Sequence, residues 1–252
     1  MSELFSDDQG QPRVLWGAAI NSASPRAAEM AARVGFDVVW IEMEHASVDL
    51  LTAEAMCTAA QAGGAVPLVR TIGCRREHIL HALEIGGRLV VVPLVNDAET
   101  AREVVRHGKF RPLGERGYNT RSRAARFGLE ALPAARMNAE TCLFPQVETR
   151  AAAANVEAIL AVDGIAGVFI GPGDLSADLD RPGDFANPEL REMVTACIRA
   201  ARAAGKHAGI LASPGPLLDD ALAAGADLCV IGSDFGAMIQ VWREQLARCR
   251  AR

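Results

Sequence analysis

A single (β/α)8, or TIM, barrel is the fold this sequence predicts, and three observations predict it. The 252 residues suit one such barrel, which typically takes about 250. One unit recurs: an Ala-rich helical stretch, a Gly, then a short β-branched run, as in "AAEMAARVGFDVVWIE" and "DDALAAGADLCVIGSD". These runs are apolar without alternation, as expected of strands covered on both faces. Eight can be placed, near 14–20, 37–42, 65–70, 89–95, 142–147, 166–170, 207–211 and 227–231. An open, doubly wound sheet is the alternative, but the first strand runs into "WGAAINSASP", with no GxGxxG turn.

The elements follow in order. Residues 1–12 are polar and acidic and read as a flexible tail on a single domain spanning 1–252. Ser24-Pro25 and Asn187-Pro188 each set a capping side chain before a proline at the first helical position. Gly closes the helices, where it takes the left-handed conformation without penalty. Two connections are long, 108–141 and 171–187, and loops of that length in a compact domain are often functional. The last helix, 234–250, is amphipathic and suits packing on the barrel or on another subunit.

Composition narrows the partners. The net charge is −5 with no basic arm, which argues against nucleic acid. No apolar run reaches the roughly 18 residues of a membrane span, and the N-terminus lacks the basic and apolar regions of a signal peptide. A cytoplasmic protein is expected. The six cysteines form no CxxC pair and read as reduced core thiols.

Barrel chemistry sits at the C-terminal strand ends, and polar residues gather there. "WIEMEHASVDL" stops being apolar at Glu42, Glu44 and His45 because the strand has reached the mouth. The first strand adds Trp16 and Asn21, and "AVPLVR" ends on Arg70. "FPQVETR" gives Gln146 and Glu148, "GVFIGPGDLS" gives Gly173 and Asp174, and the eighth strand gives Ser233 and Asp234. Glu148 and Asp174 leave adjacent strands, so they suit a divalent metal (Mg²⁺, Mn²⁺ or Co²⁺); capping a helix and turning a loop are their structural alternatives. His45 suits acid–base work. Arg70 needs an anion, either a substrate oxygen or Glu42 or Glu44. Neither lysine, Lys109 or Lys206, lies where a Schiff base would form.

The stretches "EMEHASVD", "PLVR", "VPLVNDAETA", "RPLGERG", "PQVETRAA" and "GVFIGPGDLSADL" together resemble the HpcH/HpaI aldolases, collinearly over about residues 14 to 240. The resemblance implies a metal-dependent class II aldolase that cleaves a 4-hydroxy-2-oxo acid to pyruvate and an aldehyde. It implies homo-oligomers, hexamers by analogy, that exchange the last helix. Glu148 and Asp174 would match the metal ligands. Arg70 would match the enolate-stabilising arginine, and His45 the base. Gln146 would contact the ketone, and the Gly173 and Asp174 amides the carboxylate. Trp16 is placed with the substrate-binding residues. Two positions depart from the pattern, Glu42 and Glu84, where the family more often has Asp. The acid at position 84 would raise the basicity of the histidine, but Glu84 ends a helix at the opposite rim and would have to act from another subunit or across a bend. Arg116, Arg121, Arg123 and Arg126 in "GERGYNTRSRAARFG" are candidates to meet an acidic aldehyde. The alternatives are an acyl-CoA lyase resembling the citrate lyase β-subunit and a non-catalytic keto-acid-binding barrel.

Overall fold

Eight parallel strands close into a barrel in sequence order in the computed structural model, which describes residues 4–251. The strands are β1 (Leu15–Ile20), β2 (Val38–Glu42), β3 (Val66–Arg70), β4 (Leu89–Val92), β5 (Cys142–Val147), β6 (Gly167–Ile170), β7 (His207–Leu211) and β8 (Leu228–Ser233). The α-helices among the described residues are α1 (Pro25–Val34), α2 (Leu50–Ala62), α3 (Arg76–Glu84), α4 (Ala98–Gly108), α5 (Ala134–Glu140), α6 (Arg150–Ala154), α7 (Val156–Leu160), α8 (Pro172–Asp178), α9 (Pro188–Ala203), α10 (Pro216–Ala224) and α11 (Asp234–Arg250). None is long and apolar enough to cross a membrane.

Local chemistry sets the boundaries as expected. The Ser24 hydroxyl accepts from the Ala27 amide, and the Asn187 side chain from the Glu189 amide, each before a proline at the first helical position. Gly35 closes α1 and Gly225 closes α10 in the left-handed region, at φ 113° and 103°. Strand β4 is shorter than expected, ending at Val92. Leu94 takes φ 56°, and its amide leaves the ladder to donate to a carboxylate at the mouth.

Two cores result from the two faces of the sheet. Inside the barrel pack Leu15, Trp40, Leu68, Val91, Phe144, Phe169 and Val230. Outside, Val39, Ile41, Val69, Val90, Leu143 and Val168 meet the helices. Gly209 makes room for Phe169, because a Cβ there would stand 2.3 Å from the ring. Cys57, Cys142, Cys197 and Cys229 are buried, free thiols; burial pushes the Cys57 and Cys229 thiols up to about 12.

The N-terminal segment departs from the flexible tail read for 1–12. Over the described residues 4–12 it closes the barrel floor. Phe5 is 4% exposed and belongs to the inner core, and its ring stacks on His207 at 3.6 Å. Ser6 bridges Pro12, and Arg13 pairs with Asp37 at 3.1 Å. Phe5, with the part-buried Leu4 beside it, docks this otherwise polar stretch, because the barrel bottom would otherwise expose its core.

Candidate active site

The last residues of β2 and β3, Glu42 and Arg70, are register partners. Glu42 Oε2 accepts from Arg70 Nε at 2.8 Å and from Trp40 Nε1 at 3.0 Å, and Arg70 Nη2 lies 2.6 Å away. Glu42 Oε1 accepts from the amides of Glu44, at 2.6 Å, and His45, at 3.0 Å. Burial pushes the Glu42 carboxyl up, but Arg70 and these hydrogen bonds outweigh it and hold the group below its ordinary value. The longer acid at this position thus reaches the arginine and shapes the turn that carries His45. Arg70 Nη1 also meets Glu44 at 3.0 Å, and its guanidinium stands 5.4 Å from the centre of the Trp40 ring.

The β5–β6 side is built differently. Glu148 is 2% exposed. Its Oε1 accepts from the Leu94 amide at 2.7 Å and its Oε2 from Gln146 Nε2 at 2.5 Å. No arginine among the described residues binds it directly. Burial, with the charges of Glu44 and Asp174 nearby, pushes its carboxyl up to about 7. Gly171 permits the arrangement, since a Cβ there would stand 2.6 Å from Gln146 Nε2 and 3.1 Å from Glu148 Cβ. Asp174 and Gly173 are exposed in the first turn of α8, where amides have no acceptor within the helix.

The donor set fits a divalent cation. The charges of Glu44 and Asp174 both act on Glu148, with that of one arginine against them, and the buried Oε1 of Gln146 lacks a hydrogen-bond partner. Among the described residues no three His, Cys, Asp or Glu side chains form a complete cage. Two carboxylates leave positions for water and substrate, as Mg²⁺ or Mn²⁺ sites usually do.

Beside these groups opens a cavity of about 600 Å³ over β1, β2, β3, β7 and β8, lined by residues that include Asn21, His45, Ser213, Ser233 and Phe235. The His45 side chain is 64% exposed at its edge, with Nε2 3.9 Å from Glu44.

The structure thus brings together His45, Arg70, Gln146, Glu148, Gly173 and Asp174, and leaves two candidates out. Trp16 is the second residue of β1, near the barrel floor, and packs with the outer core; strand parity puts Leu15 and Ala19 inside and Trp16 outside. Glu84, at the end of α3, pairs with the buried Arg116 at 2.6 Å, away from His45 within this chain. The arginine loop is likewise engaged at the lower rim. Arg116 lies over Phe110, Arg123 meets Glu54, and Arg126 meets Glu130 and Glu140. Lys109 is buried and donates to the carbonyls of Asn138 and Thr141, an architectural clasp. Trp40 and Leu94 went unassigned in the sequence. Trp40 was legible, two residues before Glu42 and so on the same face of the strand; nothing local marks Leu94.

A closed parallel barrel with buried carboxylates and a fixed arginine at its C-terminal mouth carries its polar groups where enzymes of this fold place their chemistry. The chain belongs to the HpcH/HpaI aldolase/citrate lyase family, which it matches over residues 14–241. The 2-keto-3-deoxy-L-rhamnonate aldolase of Klebsiella pneumoniae subsp. pneumoniae is 40% identical over 234 residues, covering 92% of this chain and 86% of that one. An HpcH/HpaI aldolase/citrate lyase family protein from Burkholderia cenocepacia J2315 has TM-score 0.89 at 29% identity, over 98% of this chain and 97% of its own. The HpcH/HpaI aldolase of Desulfitobacterium hafniense DCB-2 has TM-score 0.87 at 27% identity, over 94% and 93%. The chain is a carbon–carbon lyase of this family.

Proposed function

We propose that the protein cleaves a 4-hydroxy-2-oxo acid of the 2-keto-3-deoxy sugar acid class, reversibly, to pyruvate and an aldehyde. The observation that carries this reading is the placement of Arg70, fixed by Glu42 and Glu44 across the mouth from Glu148 and Asp174. The Klebsiella relative, named for such a reaction, supports it.

Glu148 and Asp174 would hold a divalent cation, which when bound supplies Lewis-acid polarisation of the 2-oxo group. Breaking the C3–C4 bond leaves electrons on that oxygen. Arg70 supplies a permanent cation there, and Glu42 prevents it from swinging away. Gln146 donates to Glu148 through Nε2 and keeps a buried Oε1 without a hydrogen-bond partner. The unpaired first-turn amides of Gly173 and Asp174 suit the substrate carboxylate. His45 accepts the C4 hydroxyl proton as the aldehyde forms. Among the described residues, Glu44 is the carboxylate within 4 Å of its imidazole, at 3.9 Å.

The last helix supports assembly into homo-oligomers. Nothing on α11 is buried, and Phe235, Ile239, Val241, Trp242 and Leu246 are exposed. Trp16 and Ile231 are only part-buried on the outer faces of β1 and β8. Exchange of α11 between subunits would cover both surfaces.

The test is exchange of the pyruvate methyl protons with D₂O, followed by NMR on metal-stripped protein with and without Mg²⁺ or Mn²⁺. Metal-dependent exchange, with cleavage of 2-keto-3-deoxy acids, is the expected result. Neither activity under either metal would overturn the reading.

A further inference from the structure

The connection between β1 and α1 is only four residues long, Asn21 to Ser24, and three of them, Asn21, Ser22 and Ala23, line the substrate cavity. Its backbone is not relaxed. Ala23 has φ 51°, a region that residues with a Cβ rarely enter. What holds it comes from the other end of the sequence. Asp234, the first residue of α11, accepts from the Asn21 amide with Oδ1, at 3.0 Å, and from the Ser22 amide with Oδ2, at 3.1 Å. Oδ1 also accepts from the Phe235 amide at 2.9 Å. Both ends of the connection are fixed, by β1 and by the Ser24 cap of α1. The carboxylate therefore fixes its first two residues, directly before Ala23. Non-glycine residues at positive φ persist where their surroundings impose the conformation, and they cluster at ligand sites.

We propose that Asp234 is a positioning residue for substrate. It holds the Asn21–Ala23 wall in the shape that receives the aldehyde half of the 2-keto-3-deoxy acid. The placement follows from the barrel. Glu148 and Gln146 end β5, Asp174 follows β6, and Arg70 ends β3, so the oxo-acid half occupies that side. The cavity continues from Arg70 over β1, β7 and β8, where the side chains of Asn21, Ser22, Ser213 and Ser233 present neutral hydrogen-bonding groups. The Asn21 and Ser22 side chains hang from the two amides that Asp234 grips. A carboxylate grips both at once because it has two acceptors and no donor; an asparagine turns an NH₂ toward one of them. The assignment rests on the aldolase reading.

The experiment uses the full-length, metal-loaded protein and Asp234→Asn. Three readouts are followed: KM and kcat for a 2-keto-3-deoxy sugar acid, pyruvate methyl exchange in D₂O, and amide hydrogen exchange of the segment 16–28. The expected result is a KM about tenfold higher, with kcat and pyruvate exchange within about twofold of wild type. The amides of 16–28 exchange faster, without a change in far-ultraviolet circular dichroism. An unchanged KM in an active enzyme overturns the proposal, as does equal loss of cleavage and pyruvate exchange in a folded variant. Should Asp234→Asn not fold, the change is made in an Ala23→Gly background, which removes the left-handed strain. The double variant is then expected to keep the raised KM relative to Ala23→Gly alone, and equal values overturn the proposal. A wild-type protein that neither cleaves the acid nor exchanges pyruvate protons refutes the aldolase reading instead. Hydrogen exchange of 16–28 then decides the positioning claim, with faster exchange supporting it and unchanged exchange ending it.

Discussion

Glu42 and Glu148 are the same side chain, almost equally buried, on opposite sides of one barrel mouth, yet their carboxyls move in opposite directions. Glu42 has a guanidinium, an indole N–H and two backbone amides on its oxygens. Glu148 has one backbone amide, one side-chain amide and two neighbouring carboxylates. Burial alone raises both; at Glu42 the charge of Arg70 and the hydrogen bonds reverse it, and at Glu148 the Leu94 amide and the more distant charge of Arg70 do not. The β2–β3 side is therefore complete as the chain folds, and the β5–β6 side is left one cation short. That division suits a site in which the protein brings one positive charge and the divalent metal brings the other.

The largest effect should come from removing the shared cation. Arg70→Ala leaves the buried Glu42 and the part-buried Glu44 without it, a loss expected to destabilise the protein by about 3–5 kcal/mol, read as a fall in Tm. Arg70→Lys keeps a charge but loses the fork that binds both acids. It is expected to fold and to lose about 10²–10³ in kcat/KM. Near-normal turnover by Arg70→Lys would mean that any positive charge serves there.

Next comes Glu148→Gln, which keeps the shape and removes the charge. It is expected to abolish metal-dependent pyruvate exchange and the rise in Tm on adding Mg²⁺ or Mn²⁺, with circular dichroism unchanged. A variant that still gains stability from metal would move the ligand role elsewhere in the mouth.

The same two residues make opposite pH predictions. The folded Glu148 carboxyl titrates near 7 against an ordinary value of 4.5, so the folded state takes up a proton that the unfolded state does not. Through this group, stability rises as pH falls from above 7 toward 4.5. Glu42 is held below its ordinary value. Its contribution is fully present above that value and is lost only as pH falls through the lower, folded one. Metal-free wild type is expected to gain roughly 2–5 °C in Tm between pH 8 and pH 6 relative to Glu148→Gln, about 1–2 kcal/mol for a domain of this size. Parallel profiles for the two proteins would show that Glu148 is not held high.

How far the sequence foretold this contrast depends on the range of the interaction. The strands were legible because each is a short apolar run between a Gly-ended helix and a polar break; seven of the eight end within two residues of expectation, and β4 falls short where Leu94 turns toward Glu148. Residues whose role follows from their place at a strand end, Arg70, Glu148 and Asp174, were found for the same reason. Trp16 was misplaced because being in the right strand is not enough; its height and its parity decide where it points. Glu84 shows the limit of local reading, since its partner, Arg116, is 32 residues away in a loop whose arginines were read toward substrate rather than toward a helix end. The grip of Asp234 on Asn21 spans 213 residues, a separation that no local pattern encodes.

The smallest expected effect tests whether the β2–β3 side is as saturated as it looks. Trp40→Phe keeps the ring over Arg70 and removes only the Nε1–H bond to Glu42 Oε2. That oxygen retains the Arg70 bonds at 2.8 Å and 2.6 Å. The loss should therefore be near the low end for a buried hydrogen bond to a charged group, about 1.5 kcal/mol. It should appear as a Tm lower by roughly 2–4 °C and a kcat within about threefold of wild type. A much larger fall in kcat with little change in Tm would mean that the indole, rather than Glu42, sets the angle of the arginine. The β2–β3 side would then depend on the inner core beneath it as much as the β5–β6 side depends on its cation.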